Sequence, residues 1–239
     1  MGGAHTLGER RRQVEAIGPL RQLDLRLPRA HKTLELLLPA DLDPLIDAVE
    51  HDPEQNLPYW AELWPSGIAL ADAVLAAPQL VSGLRVLEIG CGLGVTAYAA
   101  LHAGAELTVA DYAPEALAFC RYHALLNAGR EPAALLINWR APSAELLAAA
   151  GDGFALVLAA DVLYESRDVQ PLLNVLERLL APGGLLWLAE PGRAVARRFV
   201  ELARARGWEG PSETHPGPWP DPRDAEVTVS VYRLRRPQT

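Results

Sequence analysis

From residue 84 onward, short apolar runs alternate with longer stretches of helical periodicity, and few folds accept that pattern. Leu84 to Ile89, Leu107 to Ala110, Leu135 to Asn138, Phe154 to Ala160 and Gly184 to Ala189 read as strands. Between them, Val95 to Ala103 (closed by Gly104), Pro114 to Leu126, a stretch from an N-capping Ser143 to Ala150, and Asp168 to Leu180 read as helices. Arg193 to Arg206 is a further helix. Strand and helix in regular succession put the strands parallel, with helices on both faces of one sheet. Phe154 to Ala160 is apolar throughout, as a strand covered on both faces must be. Val227 to Leu234 alternates instead, which suits a last strand running antiparallel with one wetter face. The expected fold is a doubly wound, Rossmann-like α/β sheet.

Upstream the pattern differs. Leu23, Leu25 and Leu27 alternate with polar residues before Pro28, which predicts a strand with Thr33 to Leu38 as its hairpin partner. Asp43-Pro44 starts a short helix to about Glu50. The first ~20 residues are polar and predict a frayed arm. Residues 1–57 are therefore expected to form an arm, a hairpin and a helix, packed on a main domain of residues 58–239.

Composition removes several classes of function. Half of the 239 residues are hydrophobic and 22% are charged, enough apolar material for a packed core. No apolar run approaches the ~20 residues of a membrane span. A net charge of −8 argues against holding nucleic acid by neutralising its phosphates. Cys91 and Cys120 are too few for a disulfide framework, and the 6 histidines are scattered, so no metal site is expected. Arg10, Arg11 and Arg12 have no apolar stretch behind them, so no secretory signal is expected and a cytoplasmic protein is. Nothing in the sequence addresses oligomeric state.

Sheets of this kind bind ligands outside the carboxyl ends of their strands. Glu88-Ile89-Gly90-Cys91-Gly92-Leu93-Gly94 is a glycine loop at such an end, where backbone can approach a ligand and the next helix offers free N–H groups. Gly92-x-Gly94-x-x-Ala97 also fits a dinucleotide fingerprint, so a nicotinamide-dependent oxidoreductase stays open. Asp111 ends the next strand, 21 positions beyond Gly90, where a carboxylate can accept both hydroxyls of a ribose. It also suits the cap of the helix that follows. Trp139, beside Asn138, can cover one face of an adenine, or can be a core tryptophan with an N–H partner. Asp161 and Tyr164 follow the central apolar strand and would flank whatever sits over the ligand's reactive atom. The segment from Pro58 to Gly67 is dense in aromatic residues; it can wall the site, with Ser66 capping a helix to Ala77.

Together these residues resemble the class I, seven-strand S-adenosylmethionine-dependent methyltransferases. Glu88-x-Gly90-x-Gly92-x-Gly94 and Asp111 are similar to that superfamily's cofactor motif. Trp64-Pro65-Ser66-Gly67, Trp139 and Asp161-x-x-Tyr164 bring the chain closest to methyltransferase family 16, which holds protein-lysine methyltransferases and nicotinamide N-methyltransferase-like relatives. The likeness spans roughly residues 58–190 and implies a seven-stranded sheet, S-adenosylmethionine as cofactor and S-adenosylhomocysteine as product. It implies that Gly90, Cys91, Gly92 and Gly94 line the methionine part, with Glu88 near its amino group and Asp111 on the ribose. Trp139 and Ala160 would border the adenine, and Trp64 would close the site. Asp161 and Tyr164 would engage the target amine as catalytic residues, Asp161 by binding its ammonium form. A protein lysine is the implied acceptor, with a small amine as the other choice. A non-catalytic cofactor-binding module would instead need Gly90, Gly92 and Asp111 but could dispense with Asp161 and Tyr164. Asn138 stands where relatives often carry an acid, and the Asn/Asp-Pro-Pro-Tyr/Phe signature of adenine-N6 and glutamine methyltransferases is missing.

Overall fold

The computed structural model describes residues 5–52, 54 and 56–238. In place of a frayed arm, the chain opens with a helix, α1 (Leu7–Glu15); residues 1–4 of the expected arm lie outside the described residues. The Thr6 hydroxyl accepts the Glu9 N–H at 3.2 Å, and the Glu9 carboxylate accepts the Thr6 N–H at 2.7 Å, so each satisfies a free donor of the first turn. Its polar composition hid the helix because its anchor is an ion pair. Arg10 donates to both oxygens of Glu131, at 3.0 and 2.7 Å, and Arg121 shares that carboxylate.

A hairpin follows, β1 (Leu20–Arg26) with β2 (Thr33–Pro39), then α2 (Asp43–Asp47) and 3-10 turns at Ala48–His51 and Tyr59–Ala61. The main body runs α3 (Pro65–Ala76), β3 (Arg85–Ile89), α4 (Val95–His102), β4 (Glu106–Asp111), α5 (Pro114–Ala128) and β5 (Ala133–Leu136). It continues with α6 (Ala144–Ala150), β6 (Phe154–Ala160), α7 (Val169–Leu179), β7 (Leu180–Glu190), α8 (Ala194–Ala205), β8 (Ser212–Pro216) and β9 (Thr228–Arg235). The large sheet has 7 strands in the order β5-β4-β3-β6-β7-β9-β8. Strands β3 to β7 are parallel, and β9 runs antiparallel to both of its neighbours.

Two departures from the sequence reading matter. β8 was not predicted: Ser-Glu-Thr-His-Pro carries no apolar alternation because it is a mostly exposed edge strand. β5 ends at Leu136, so Asn138 and Trp139 lie in the loop beyond the strand and not on it.

Each face of the sheet carries its own core. Leu156, Leu158 and Trp187 point to the face covered by α3, α4, α5 and the hairpin, whereas Val157, Leu186 and Leu188 point to the face covered by α6, α7 and α8. α3 is buried nearly all round, so it shows no polar stripe. Two buried polar groups tie the hairpin down. Asp72 on α3 accepts the N–H groups of Arg29 and Ala30, at 3.2 and 2.8 Å. His123 on α5 accepts the Leu37 N–H at 2.9 Å through Nε2 and donates Nδ1–H to the Leu93 carbonyl at 2.8 Å. Burial drives its pKa down to about 4, so the ring is the neutral tautomer that can do both.

Glu131→Ala leaves the Arg10 side chain, 5% exposed, without its carboxylate. Stranding a buried cation is worth about 3 kcal/mol. Urea unfolding is expected to show that loss at unchanged m-value, whereas Arg11→Ala, on an exposed pair, is expected to cost under about 0.5 kcal/mol.

Candidate active site

The strand order reverses at β3. The chain leaves it for β4 on one side and returns to β6 on the other, so a crevice opens at their carboxyl ends. Gly90 lies there with φ +69°, and a Cβ on it would stand 2.7 Å from Val162 Cγ1, in the segment after β6. Gly94 (φ +81°) packs against α5, where a Cβ would meet Cys120 Cα and Sγ at 2.9 Å. Neither position accepts a side chain without moving its neighbour.

Two carboxyl groups end the strands on either side of this loop. Glu88 is 3% exposed and its Oε2 has no partner. Burial, with the charge of Asp111 behind it, holds its carboxyl well above the usual range. Asp111 accepts the Gly92 N–H at 3.0 Å through Oδ2 and the Ala113 N–H at 3.1 Å through Oδ1. Burial pushes Asp111 up to about 6, while those N–H groups pull the other way. It thus braces the glycine loop and the entry to α5 at once. Cys91 lines the same cleft, its thiol pushed well up by burial.

Gly92, Ala160, Trp139 and Tyr112 line the cleft next to these acids. The Trp139 indole donates to Asp168 Oδ1 at 3.2 Å. Asp168 also takes Arg140 at 2.6 and 3.0 Å, and Arg140 pairs in turn with Glu54. Glu54 accepts from the Asn138 amide at 2.6 Å. Trp139 is therefore a fixed wall with an N–H partner, and Asn138 is held toward Glu54. The cleft itself has a volume of about 90 Å³. It shares Trp60 and Tyr112 with a second cavity of about 440 Å³, lined also by Val49, Asn56, Ile137 and Asn138. Only with the second does the space reach the ~300–1,000 Å³ of small-ligand sites.

The same cleft holds an aromatic cup. Tyr59 meets Tyr164 edge-on at 4.9 Å and Trp64 at 5.9 Å, and the Trp64 indole donates to the Tyr59 carbonyl at 2.8 Å. Burial raises the Tyr164 and Tyr112 phenols, so both are neutral donors at any working pH. Asp161 opens the segment after β6 with φ +57°, a conformation uncommon outside glycine, asparagine and aspartate. Its N–H is spent on the Ala189 carbonyl of β7 at 2.9 Å. Ser66 does not cap α3; its hydroxyl donates to Asp161 Oδ2 at 3.2 Å. The Arg193 guanidinium pairs with Asp161 Oδ1, 6.0 Å from the Trp64 ring centre. So Trp64, Asp161 and Tyr164 are brought together as expected, but the Asp161 carboxylate has partners within the chain. Sequence reasoning missed Arg193 and Tyr112, and offered Tyr59 only as part of the aromatic segment from Pro58 to Gly67. Arg193 had a legible signal: a cation just after the Glu190 end of a parallel strand, at a helix start that favours acids.

Residues 87–186 match the model of a family described as a methyltransferase domain. A ubiquinone biosynthesis O-methyltransferase of Cereibacter sphaeroides is 39% identical over 115 residues, 48% of this chain and 44% of that protein. The electron transfer flavoprotein beta subunit lysine methyltransferase of Xenopus laevis is 34% identical over 139 residues, 57% of this chain and 54% of that protein. The chain thus spans about half the length of the curated relatives it matches. Among solved structures, the N-methyltransferase NodS from Bradyrhizobium japonicum in complex with S-adenosylhomocysteine superposes with a TM-score of 0.57, at 19% identity, covering 82% of this chain and 100% of that one. At that identity it is the fold that is shared.

The residues present fit S-adenosylmethionine. The buried Glu88 Oε2 lacks a partner that an amino group would supply, and Gly90 and Gly94 beside it have no room for side chains. Asp111 must be ionised to accept ribose hydroxyls, and its carboxyl titrates at about 6. Calorimetry with S-adenosylhomocysteine is expected to show affinity steady above pH 7 and falling about tenfold per unit below about 6. Asp111→Asn is expected to be weak and flat across that range. Residues 87–186 are thus similar to a methyltransferase domain, and the sheet that carries them has the fold of an S-adenosylmethionine-dependent methyltransferase.

Proposed function

We propose that this protein methylates the side-chain amine of a lysine in another protein. The observation that supports this reading best is the cup of Tyr59, Trp64 and Tyr164, which lines the same cleft as Asp161 and the glycine loop. Such an aromatic wall suits a long apolar stem ending in nitrogen. The lysine methyltransferase of Xenopus among the relatives points the same way.

When bound, S-adenosylmethionine supplies a methyl group made electrophilic by its sulfonium. Glu88 would take its amino group, Asp111 its ribose, and Trp139 with Ala160 the adenine side. The chain's main task is to align the amine with that methyl, and positioning of this kind can supply up to ~7–11 kcal/mol of the barrier. The nitrogen lone pair forms the N–C bond while the C–S bond breaks and leaves its electrons on sulfur. A lysine ammonium, with an ordinary pKa of ~10.4, must first give a proton to water. The apolar faces of Trp64 and Tyr164 favour the uncharged amine by withholding solvent.

The ubiquinone O-methyltransferases among the relatives favour a second reading, a small-molecule acceptor. Incubation of the protein with tritiated S-adenosylmethionine and a cell extract separates the two. The expected result is label in protein that hydrolyses to methylated lysine, lost in Asp111→Ala and reduced at least tenfold in Trp64→Ala. Label confined to small molecules would establish the second reading in its place.

A further inference from the structure

Asp161 sits where an acceptor amine would enter, yet its side chain is 6% exposed and already lies against a hydroxyl and a cation of its own chain. Ser66 donates to one and Arg193 pairs with the other. The arginine is built into this place. Glu190, at the end of β7, accepts the N–H groups of Gly192 and Arg193 at 2.7 and 2.9 Å, which closes the turn before α8. Arg193 then stands at the cap position of α8, where a cation opposes the helix dipole and its side chain caps nothing. Local helix preference therefore does not explain it, and its contacts with Asp161 and Trp64 do.

We infer that Arg193 is a positioning residue that neutralises Asp161 from within the chain, so that the pocket takes its acceptor amine uncharged. This rests on the reading of the protein as an amine methyltransferase. A free carboxylate in the cup would bind a lysine as ammonium and oppose the loss of its proton; a carboxylate already paired does neither. The other titratable groups around the pocket leave this task to the pair. Tyr164 and Tyr112 are neutral phenols, and Glu88 and Asp111 lie at the loop and the ribose side. Tyr59 belongs to the cup wall, and Glu62 sits at the rim with its side chain 40% exposed. Glu190, behind the turn, spends one oxygen on two N–H groups of its own chain.

n-Butylamine, the lysine side chain without its backbone, tests this in two ways. First, its binding to the complex with S-adenosylhomocysteine is measured by calorimetry at pH 7, where the probe is ammonium. Arg193→Gln is expected to bind it about tenfold more tightly than the wild type, and the double variant Arg193→Gln/Asp161→Asn to lose that gain. Equal affinity in wild type and Arg193→Gln would overturn the inference, whatever the protein methylates. Second, methyl transfer to n-butylamine is followed from pH 6 to 10. The rate is expected to rise with pH in both proteins, with the rising limb about one unit higher in Arg193→Gln, while Arg193→Lys keeps the wild-type profile. Superimposed profiles would overturn it too. Transfer to no amine at any pH by wild-type protein would refute the functional reading alone and leave the binding comparison to judge the pair. Unchanged S-adenosylhomocysteine affinity and melting temperature show that the variants are folded.

Discussion

Burying two carboxyl groups at the ends of neighbouring parallel strands is the constraint around which the site is arranged. Glu88 lies in β3 and Asp111 ends β4, with Ile89 paired to Ala110 between them. In water each would be ionised. Here burial opposes both charges, and each raises the other's cost. Asp111 is stabilised by the Gly92 and Ala113 N–H groups, which obliges the loop to turn back over the strand end. That turn is what the positive φ of Gly90 and Gly94 permits. Glu88 is left with an oxygen facing no donor, a cost that a ligand amino group would remove. Loop shape, strand ends and cofactor preference are one electrostatic problem with one solution.

The first 60 residues take part in that solution. Tyr112, next to Asp111, donates its hydroxyl to the Leu57 carbonyl at 2.7 Å. His123 spans from Leu37 of the hairpin to Leu93 of the glycine loop, so the hairpin and the loop share one buried imidazole. Glu54 meets Arg140 and Asn138 beyond β5. These ties give the larger cavity its outer wall, with Val49, Asn56 and Pro58 facing Ile137 and Asn138. A cleft formed by the sheet alone would be open on that side.

What could be read in the sequence was whatever repeats or terminates a pattern. The parallel strands from β3 to β7, the helices between them and the alternating β9 follow from periodicity and glycine placement, and with them the edge where Glu88, Asp111 and Asp161 gather. Elements held by charge were not legible. α1 depends on Arg10 meeting Glu131, 121 positions away, a contact no local window contains. β8 is polar because it is an edge. Ser66 has the composition of a helix cap, and only the tertiary fold shows its hydroxyl turned to Asp161. Sequence put Asp161 at a strand end, where the structure has it lining the cleft, but could not show the charge beside it, because the partner lies 32 residues on, past another helix and strand.

That engagement bears on how a site of this type manages charge. On the proposed reading the methyl donor is a sulfonium, and an amine acceptor must lose a proton before its lone pair is free. An ammonium held by a bare carboxylate would be stable in the cup and unreactive there, since the ion pair would stabilise the ground state without helping the transfer. Pairing Asp161 with Arg193 removes that trap while keeping a polar floor that orients Ser66 and Trp64. An arginine serves this better than a histidine would, because even with burial lowering its pKa it starts from far above the imidazole range.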